Sequence, residues 1–141
     1  MRSFLLHNGK PTIKWSMQKP NTFFEGNLPS GFDLAIVPEE YVVIDVDVKS
    51  GKNGFEHIPM KIQVELDKTF FYNTASGGRH YFLSYSGNKE LINRATKEGI
   101  DIRCGSKGYV KYKGLVDIRE CVSLIKTSSP KMNAWIEKLF S

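Results

Sequence analysis

Cysteine, histidine and long apolar runs are all scarce in this chain, and each scarcity removes a class of function. The two cysteines, Cys104 and Cys121, show no paired metal spacing, and only three histidines accompany them. That argues against a zinc site and reads as two reduced core thiols, as in a cytosolic protein. No segment approaches the about 20 apolar residues of a membrane-spanning helix. The opening run Met1–His7 is too short for the apolar region of a signal peptide. There is no repeat, low-complexity tract or linker, so residues 1–141 read as one domain, long enough to bury a sizeable core. With 40% hydrophobic, 12% aromatic and 25% charged residues, the chain has the composition of a soluble globular protein with no membrane partner. Acidic residues are outnumbered by 20 Lys and Arg to 15 Asp and Glu, for a net charge of +5 and a pI near 9.2. A polyanion such as nucleic acid or nucleotide fits that balance, although a basic surface also serves solubility alone.

Against this basic background one segment concentrates acid. Tyr41-Val42-Val43-Ile44-Asp45-Val46-Asp47-Val48 is apolar and β-branched, which predicts a strand. Side chains alternate across a strand, so Ile44, Val46 and Val48 share one face and both aspartates the other. The two carboxylates then stand roughly 6–7 Å apart along the strand, within reach of one hard cation or of two sharing an oxygen. Unneutralised, each would raise the other's pKa. A solvent-facing acidic strand, or neutralisation by Lys49 and Lys52, is the alternative that spacing alone leaves open.

Around this strand, residues 7–31 read as loops about a short strand near Thr12–Trp15. Phe32–Val37 is predicted to be a strand, with a turn at Pro38-Glu39-Glu40 before the aspartates and another at Gly51–Gly54. Phe55, Ile58, Ile62 and Leu66 keep helical spacing. Thr69–Thr74 and Arg79–Tyr85 form a predicted hairpin around Ser76-Gly77-Gly78. Lys89–Lys97 is predicted helical, Gly99–Cys104 and Tyr109–Tyr112 strands, and Pro130–Phe140 an amphipathic helix. The mixture predicts an α+β fold with a mainly antiparallel sheet.

Two further stretches carry chemistry. In Ser76-Gly77-Gly78-Arg79-His80, the glycines let backbone N–H groups approach an anion, Ser76 adds a hydroxyl, and Arg79 and His80 add donors. This could cradle a triphosphate, or be a hairpin turn with a structural histidine. In Ile100-Asp101-Ile102-Arg103, the acid and the base share a strand face, so Asp101 either ligates a cation or pairs with Arg103. Lys107, Tyr109, Lys111 and Tyr112 interleave basic and aromatic residues, as a surface that stacks single-stranded bases would, or as an edge strand with solvated lysines.

Taken in order, Val43-Ile44-Asp45-Val46-Asp47, Ser76-Gly77-Gly78-Arg79-His80 and Ile100-Asp101-Ile102-Arg103 resemble the three motifs of the archaeo-eukaryotic primase superfamily. The match is to its bifunctional primase–polymerase (Prim-Pol) domains of phages and plasmids. Gly9-Lys10-Pro11…Trp15, Gly31–Val37 and Gly108-Tyr109-Val110 are similar to flanking family segments, and the resemblance spans about residues 9–112. Many relatives continue with a small residue and Pro-Pro-Ser, whereas this chain reads Lys111-Tyr112-Lys113-Gly114.

The resemblance implies an RRM-like antiparallel sheet with helices packed behind it and a small N-terminal α/β portion. It implies Asp45, Asp47 and Asp101 as ligands of Mg²⁺ or Mn²⁺, and Ser76, Gly77, Gly78, Arg79, His80 and Arg103 around the incoming nucleotide. The implied activity is template-dependent nucleotidyl transfer, with a single-stranded or primed DNA template and NTP or dNTP as partners. A helicase acting in trans and the cytoplasm of a bacterial or phage-infected cell complete the expectation. A metal-dependent nuclease and a catalytically idle module holding nucleotide or single-stranded DNA are the competing readings.

Overall fold

The computed structural model describes residues 1–139, so Phe140, assigned above to the last helix, lies outside the described residues. The fold is α+β, with mostly antiparallel sheets. Its strands are β1 (Arg2–His7), β2 (Lys10–Pro11), β3 (Phe32–Val37), β4 (Glu39–Val46), β5 (Val48–Lys49) and β6 (Lys52–Asn53). They continue as β7 (Phe71–Asn73), β8 (Arg79–Ser84), β9 (Arg94–Ala95), β10 (Ile100–Gly105), β11 (Val110–Tyr112) and β12 (Lys126–Thr127). The α-helices are α1 (Met60–Leu66) and α2 (Pro130–Lys138).

The central sheet has strand order β12-β8-β4-β10-β9, with β7 also on β8. A second sheet runs β11-β3-β1-β2, and β5 with β6 forms a small hairpin. Alternation along β4 decides how these layers meet. Val42, Ile44 and Val46 join Tyr81, Leu83, Ile100 and Ile102 on the face covered by Ile62 and Leu66 of α1 and Met132 and Ile136 of α2. Each helix offers an i, i+4 apolar pair, which places both residues on one face. Burying such a side chain stabilises by roughly 1.5–3 kcal/mol. On the opposite face Val43 and Phe82 pack against Ile36, Val110 and Tyr112 of the second sheet. That sheet's outer side holds Phe4 and Leu6 under Trp15 and Tyr109.

Several local expectations are corrected. The run Arg2–His7 is a full strand paired to β3, with Leu5 opposite Leu34. The short strand expected at Thr12–Trp15 is instead Lys10–Pro11, and Trp15–Met17 is a 3-10 turn whose indole stacks on Phe4 at 5.5 Å. The N-terminal portion is thus strand and 3-10 turn rather than α/β. Pro59 splits the expected helix: Ile58 before it is extended, as a residue preceding proline must be, and α1 starts at Met60.

Lys89–Lys97 is not helical. Arg94–Ala95 forms the edge strand on β10, and the Asn93 side chain accepts the Cys104 N–H at 2.8 Å. The segment carries little apolar repeat, so pairing with an otherwise open sheet edge outweighs its helix-forming lysines and glutamate. β11 joins the second sheet, pairing with β3 rather than with the neighbouring β10.

Gly78 locks the junction between the phosphate-cradle turn and β4. A Cβ there would sit 2.2 Å from the Val46 carbonyl oxygen, which only glycine avoids. Gly78→Ala is therefore expected to lower the unfolding free energy by about 3 kcal/mol, the upper end for overpacking. Urea denaturation measures it; a loss below about 1 kcal/mol would mean the turn simply moves aside.

Candidate active site

The ladders of the central sheet bring the candidate residues into one row. Asp45 faces Asp101 across β4 and β10, and faces His80 across β4 and β8. His80 in turn faces Tyr72 on β7. Asp47 lies just beyond the end of β4, where its N–H donates to the Gly99 carbonyl at 2.8 Å and its carbonyl accepts from Gly54 N–H at 2.9 Å. The eight-residue strand expected from Tyr41 to Val48 ends at Val46. Asp47, two residues on from Asp45, keeps to the same side. One carboxylate oxygen each from Asp45, Asp47 and Asp101 falls within 4.8 Å of the others.

The electrostatics of this triad are those of a cation site. Burial pushes the Asp47 carboxyl above the usual carboxylate range, and Asp45 and Asp101 push it the same way while Lys49 and His80 oppose them. His80 Nε2 lies 3.1 Å from Asp45 Oδ1, but off the line that a hydrogen bond requires. That oxygen is buried without a donor. A buried, unpartnered carboxylate oxygen aimed at two further carboxylates fits a hard divalent ion, for which oxygen donors are preferred. Asp101 keeps two weaker partners, Arg103 Nη2 at 3.4 Å and the Thr96 N–H at 3.3 Å.

Beside the triad opens a cleft of about 270 Å³ lined by Asp47, Tyr72, Asn73, Thr74, Ala75, Ser76, His80, Lys111 and Lys113. Its two walls come from different sheets. The central-sheet side supplies Asp47 and His80, and β11 with the residue after it supplies the lysines. Lys111 Nζ and Lys113 Nζ lie 3.5 and 3.9 Å from the Asp33 carboxylate. Residues 12–118 of the chain match the family described as bifunctional DNA primase/polymerase, N-terminal (Prim-Pol).

The chain belongs to the Prim-Pol family. No curated protein matches it. Membership points to a primase/polymerase-type nucleotidyltransferase, with DNA template and nucleotide as its substrates. Prim-Pol domains generally use divalent metals, and the triad is where this chain gathers oxygen donors. Among the described residues no helix is long and apolar enough to cross a membrane.

Not every candidate faces the Prim-Pol cleft. Arg79 is turned to the opposite side of β8, as adjacent strand residues must be. Its Nε donates to Asn73 Oδ1 at 2.9 Å, its Nη1 to the Tyr81 hydroxyl at 3.0 Å, and its guanidinium lies over the Phe71 ring at 4.6 Å. It supports the α1 side of the sheet and does not line the cleft. The Gly77 N–H donates to the Thr74 carbonyl at 3.1 Å, and Gly78 makes the close approach to Val46.

Tyr112 is buried with its hydroxyl donating to the Val116 carbonyl at 2.6 Å, and Tyr109 packs edge-on against Phe4 and Trp15. Lys107 sits on an exposed turn outside the cleft lining, whereas Lys111 lines it. Reasoning from sequence missed Tyr72, Thr74 and Lys113. Tyr72 could have been found by extending the row from His80 across the predicted hairpin, but no signal in the sequence places Lys113 opposite Asp47.

The raised Asp47 pKa has a signed consequence. An acid whose folded pKa lies above its unfolded value destabilises the fold once pH rises through that range, and costs nothing when protonated in both states. Asp47→Asn is expected to raise the metal-free melting temperature by a few degrees near pH 7 and to leave it unchanged well below the ordinary Asp pKa. Saturating Mn²⁺ should raise the wild-type melting temperature, by linkage, and that of the variant far less. Calorimetry across pH with and without Mn²⁺ reads both effects.

Proposed function

We propose that the chain is a template-dependent DNA primase/polymerase that adds NTP or dNTP to a 3′-hydroxyl, with the triad holding Mg²⁺ or Mn²⁺. One observation carries this reading. Three carboxylates whose oxygens approach within 4.8 Å adjoin a cleft lined by Ser76, His80, Lys111 and Lys113. Phosphoryl transfer is mostly positioning and charge stabilisation, and this arrangement offers both. Bound divalent ions supply Lewis-acid polarisation of the attacking hydroxyl and neutralise charge on the leaving pyrophosphate.

The remaining work falls to the protein's own groups. Asp45, Asp47 and Asp101 would hold those ions at the floor, beside the reacting end of the nucleotide. The Ser76 hydroxyl donates to phosphate oxygens along the β8 wall, and His80, when its ring carries both protons, donates from Nε2 beside it. Lys111 and Lys113 neutralise the polyphosphate from the opposite side as point charges on flexible stems. Arg103 steadies Asp101. We read the helix-backed central sheet as the RRM-like core of a single catalytic domain.

Extension of a labelled primer on a single-stranded template tests the proposal, with NTP or dNTP and Mg²⁺ or Mn²⁺, beside a lane without primer. Asp45→Ala/Asp47→Ala is expected to lower incorporation by about 10³-fold or more, the scale of losing preorganised charge stabilisation. Lys111→Ala/Lys113→Ala should instead raise the nucleotide KM by roughly 10–100-fold, as expected for two charge-assisted contacts. Metal-dependent shortening of DNA without nucleotide would replace this reading with a nuclease. Nucleotide binding with no product under any metal would replace it with a binding module.

A further inference from the structure

Tyr72 stands outside all three motifs, yet its hydroxyl joins the two walls of the cleft. It donates to the Lys111 carbonyl at 2.9 Å, and it lies 2.8 Å from His80 Nδ1. A phenol has one proton. With that proton given to Lys111, the hydroxyl accepts from His80 Nδ1–H. The other ring nitrogen, Nε2, is thereby the one presented to Asp45 and the cleft.

The ring is fixed as tightly as the hydroxyl. It meets His80 edge-on at 5.1 Å and Tyr112 edge-on at 5.0 Å, and it packs against Phe70 and Phe82. Burial, with Asp45 and Tyr112 nearby, holds the phenol pKa well above its ordinary value, so the donor is present throughout the working pH range. β11 is an edge strand of the second sheet. At the cleft end, the Tyr72–Lys111 hydrogen bond fastens that edge to the floor carrying the triad. At the far end of β4, Arg2 pairs with Glu39.

We propose that Tyr72 is the positioning residue of this site: its hydroxyl sets the orientation of His80 and the height of the Lys111–Lys113 strand above the triad, and so fixes the fit of the nucleotide's polyphosphate. This rests on the nucleotidyltransferase reading above. Tyr72 touches no reacting atom. It acts through His80 on one side and through the β11 backbone on the other. The triad itself does not depend on it, because Asp45 and Asp101 are held by the β4–β10 ladder and Asp47 by Gly99 and Gly54.

Tyr72→Phe keeps the ring and removes the hydroxyl. In the full chain, affinity for a fluorescent NTP in the presence of Mn²⁺ is expected to fall about tenfold, the scale of a sub-ångström misplacement of binding groups. Mn²⁺ binding without nucleotide should stay within about twofold of wild type, since its ligands are held independently. In the His80→Ala/Lys111→Ala/Lys113→Ala background, which removes every side chain the hydroxyl positions, the same change should cost about twofold or less, because coupled residues are not additive.

Equal NTP affinity in Tyr72→Phe and wild type would overturn the proposal. So would an undiminished tenfold loss in the triple background, which would mean the hydroxyl acts on the nucleotide directly or only through stability. The wild-type protein gives a readout that needs no variant. ¹⁵N shifts of labelled histidine should show His80 protonated at Nδ1, and a ring protonated at Nε2 alone would refute the arrangement. If wild type binds Mn²⁺ but no nucleotide, the functional reading fails and this proposal with it; if wild type binds and Tyr72→Phe binds equally, this proposal alone fails.

Discussion

Asp45 and Asp101 are direct cross-strand partners, so the hydrogen-bond ladder between β4 and β10 forces two carboxylates together whether or not their charges favour it. Like charges in that relation destabilise a sheet. The opposing force lies one residue away on each strand. Ile44, Val46, Ile100 and Ile102 are all essentially inaccessible beneath α1 and α2, and a slip of one residue would expose them and bury the acids. Register is thus set by the apolar face, and the acidic face inherits its geometry. The rise in the Asp47 pKa and the donorless Asp45 oxygen are the electrostatic trace of that inheritance. A fold that arranges its acids in this way gains from any hard cation that settles among them.

The same alternation decides where the site stops. On the acidic face, Val43 and Phe82 are covered by the second sheet, and one step along β4 and β8 the cover ends at Asp45 and His80. The cleft is the uncovered half of a face whose other half is core. Its floor is therefore rigid, because the backbone that presents His80 and Asp45 also presents Tyr81 and Ile44 to the helices. Residues on such a floor hold their geometry better than residues on loops. The seam itself is closed by aromatic packing of Tyr72 against Tyr112, so the polar row borders the core directly.

Much of this was legible in the chain itself, and the reasons differ residue by residue. The alternation in Val42–Val46 and Ile100–Cys104 told which side chains share a face, because a strand buried on one side writes that fact in period two. The same rule places Arg79 opposite His80, so its absence from the cleft was also written there; the resemblance of Ser76–His80 to a motif obscured it. Arg94–Ala95 was not legible, since an edge strand is decided by the neighbour it completes and not by its own lysine-rich surroundings. Nor was the role of Lys113. Its position depends on β11 leaving β10 to pair with β3, a long-range choice that no local pattern records. The motif pattern identifies the acidic floor, while the wall facing it comes from topology.

That division also accounts for the charge of the site as a whole. The chain is basic overall, yet the central sheet gathers three acids and the edge of the second sheet gathers Lys111 and Lys113 across the cleft. A floor of acids alone would repel a polyphosphate, and a rim of lysines alone would repel a divalent ion. A metal–nucleotide complex carries both signs in one molecule, and opposite walls of opposite charge complement it. Asp33 completes the arrangement by standing within 4 Å of both ammonium groups, which keeps two like charges close on an edge strand without a bound anion. The carboxylate is one charge shared between two lysines, so a polyphosphate with several charges competes for them on favourable terms, and a single phosphate competes less well. The edge strand thus carries a lysine pair with its own counterion. Under the proposed function, that pair makes the second wall as much a part of the nucleotide site as the carboxylates beneath it.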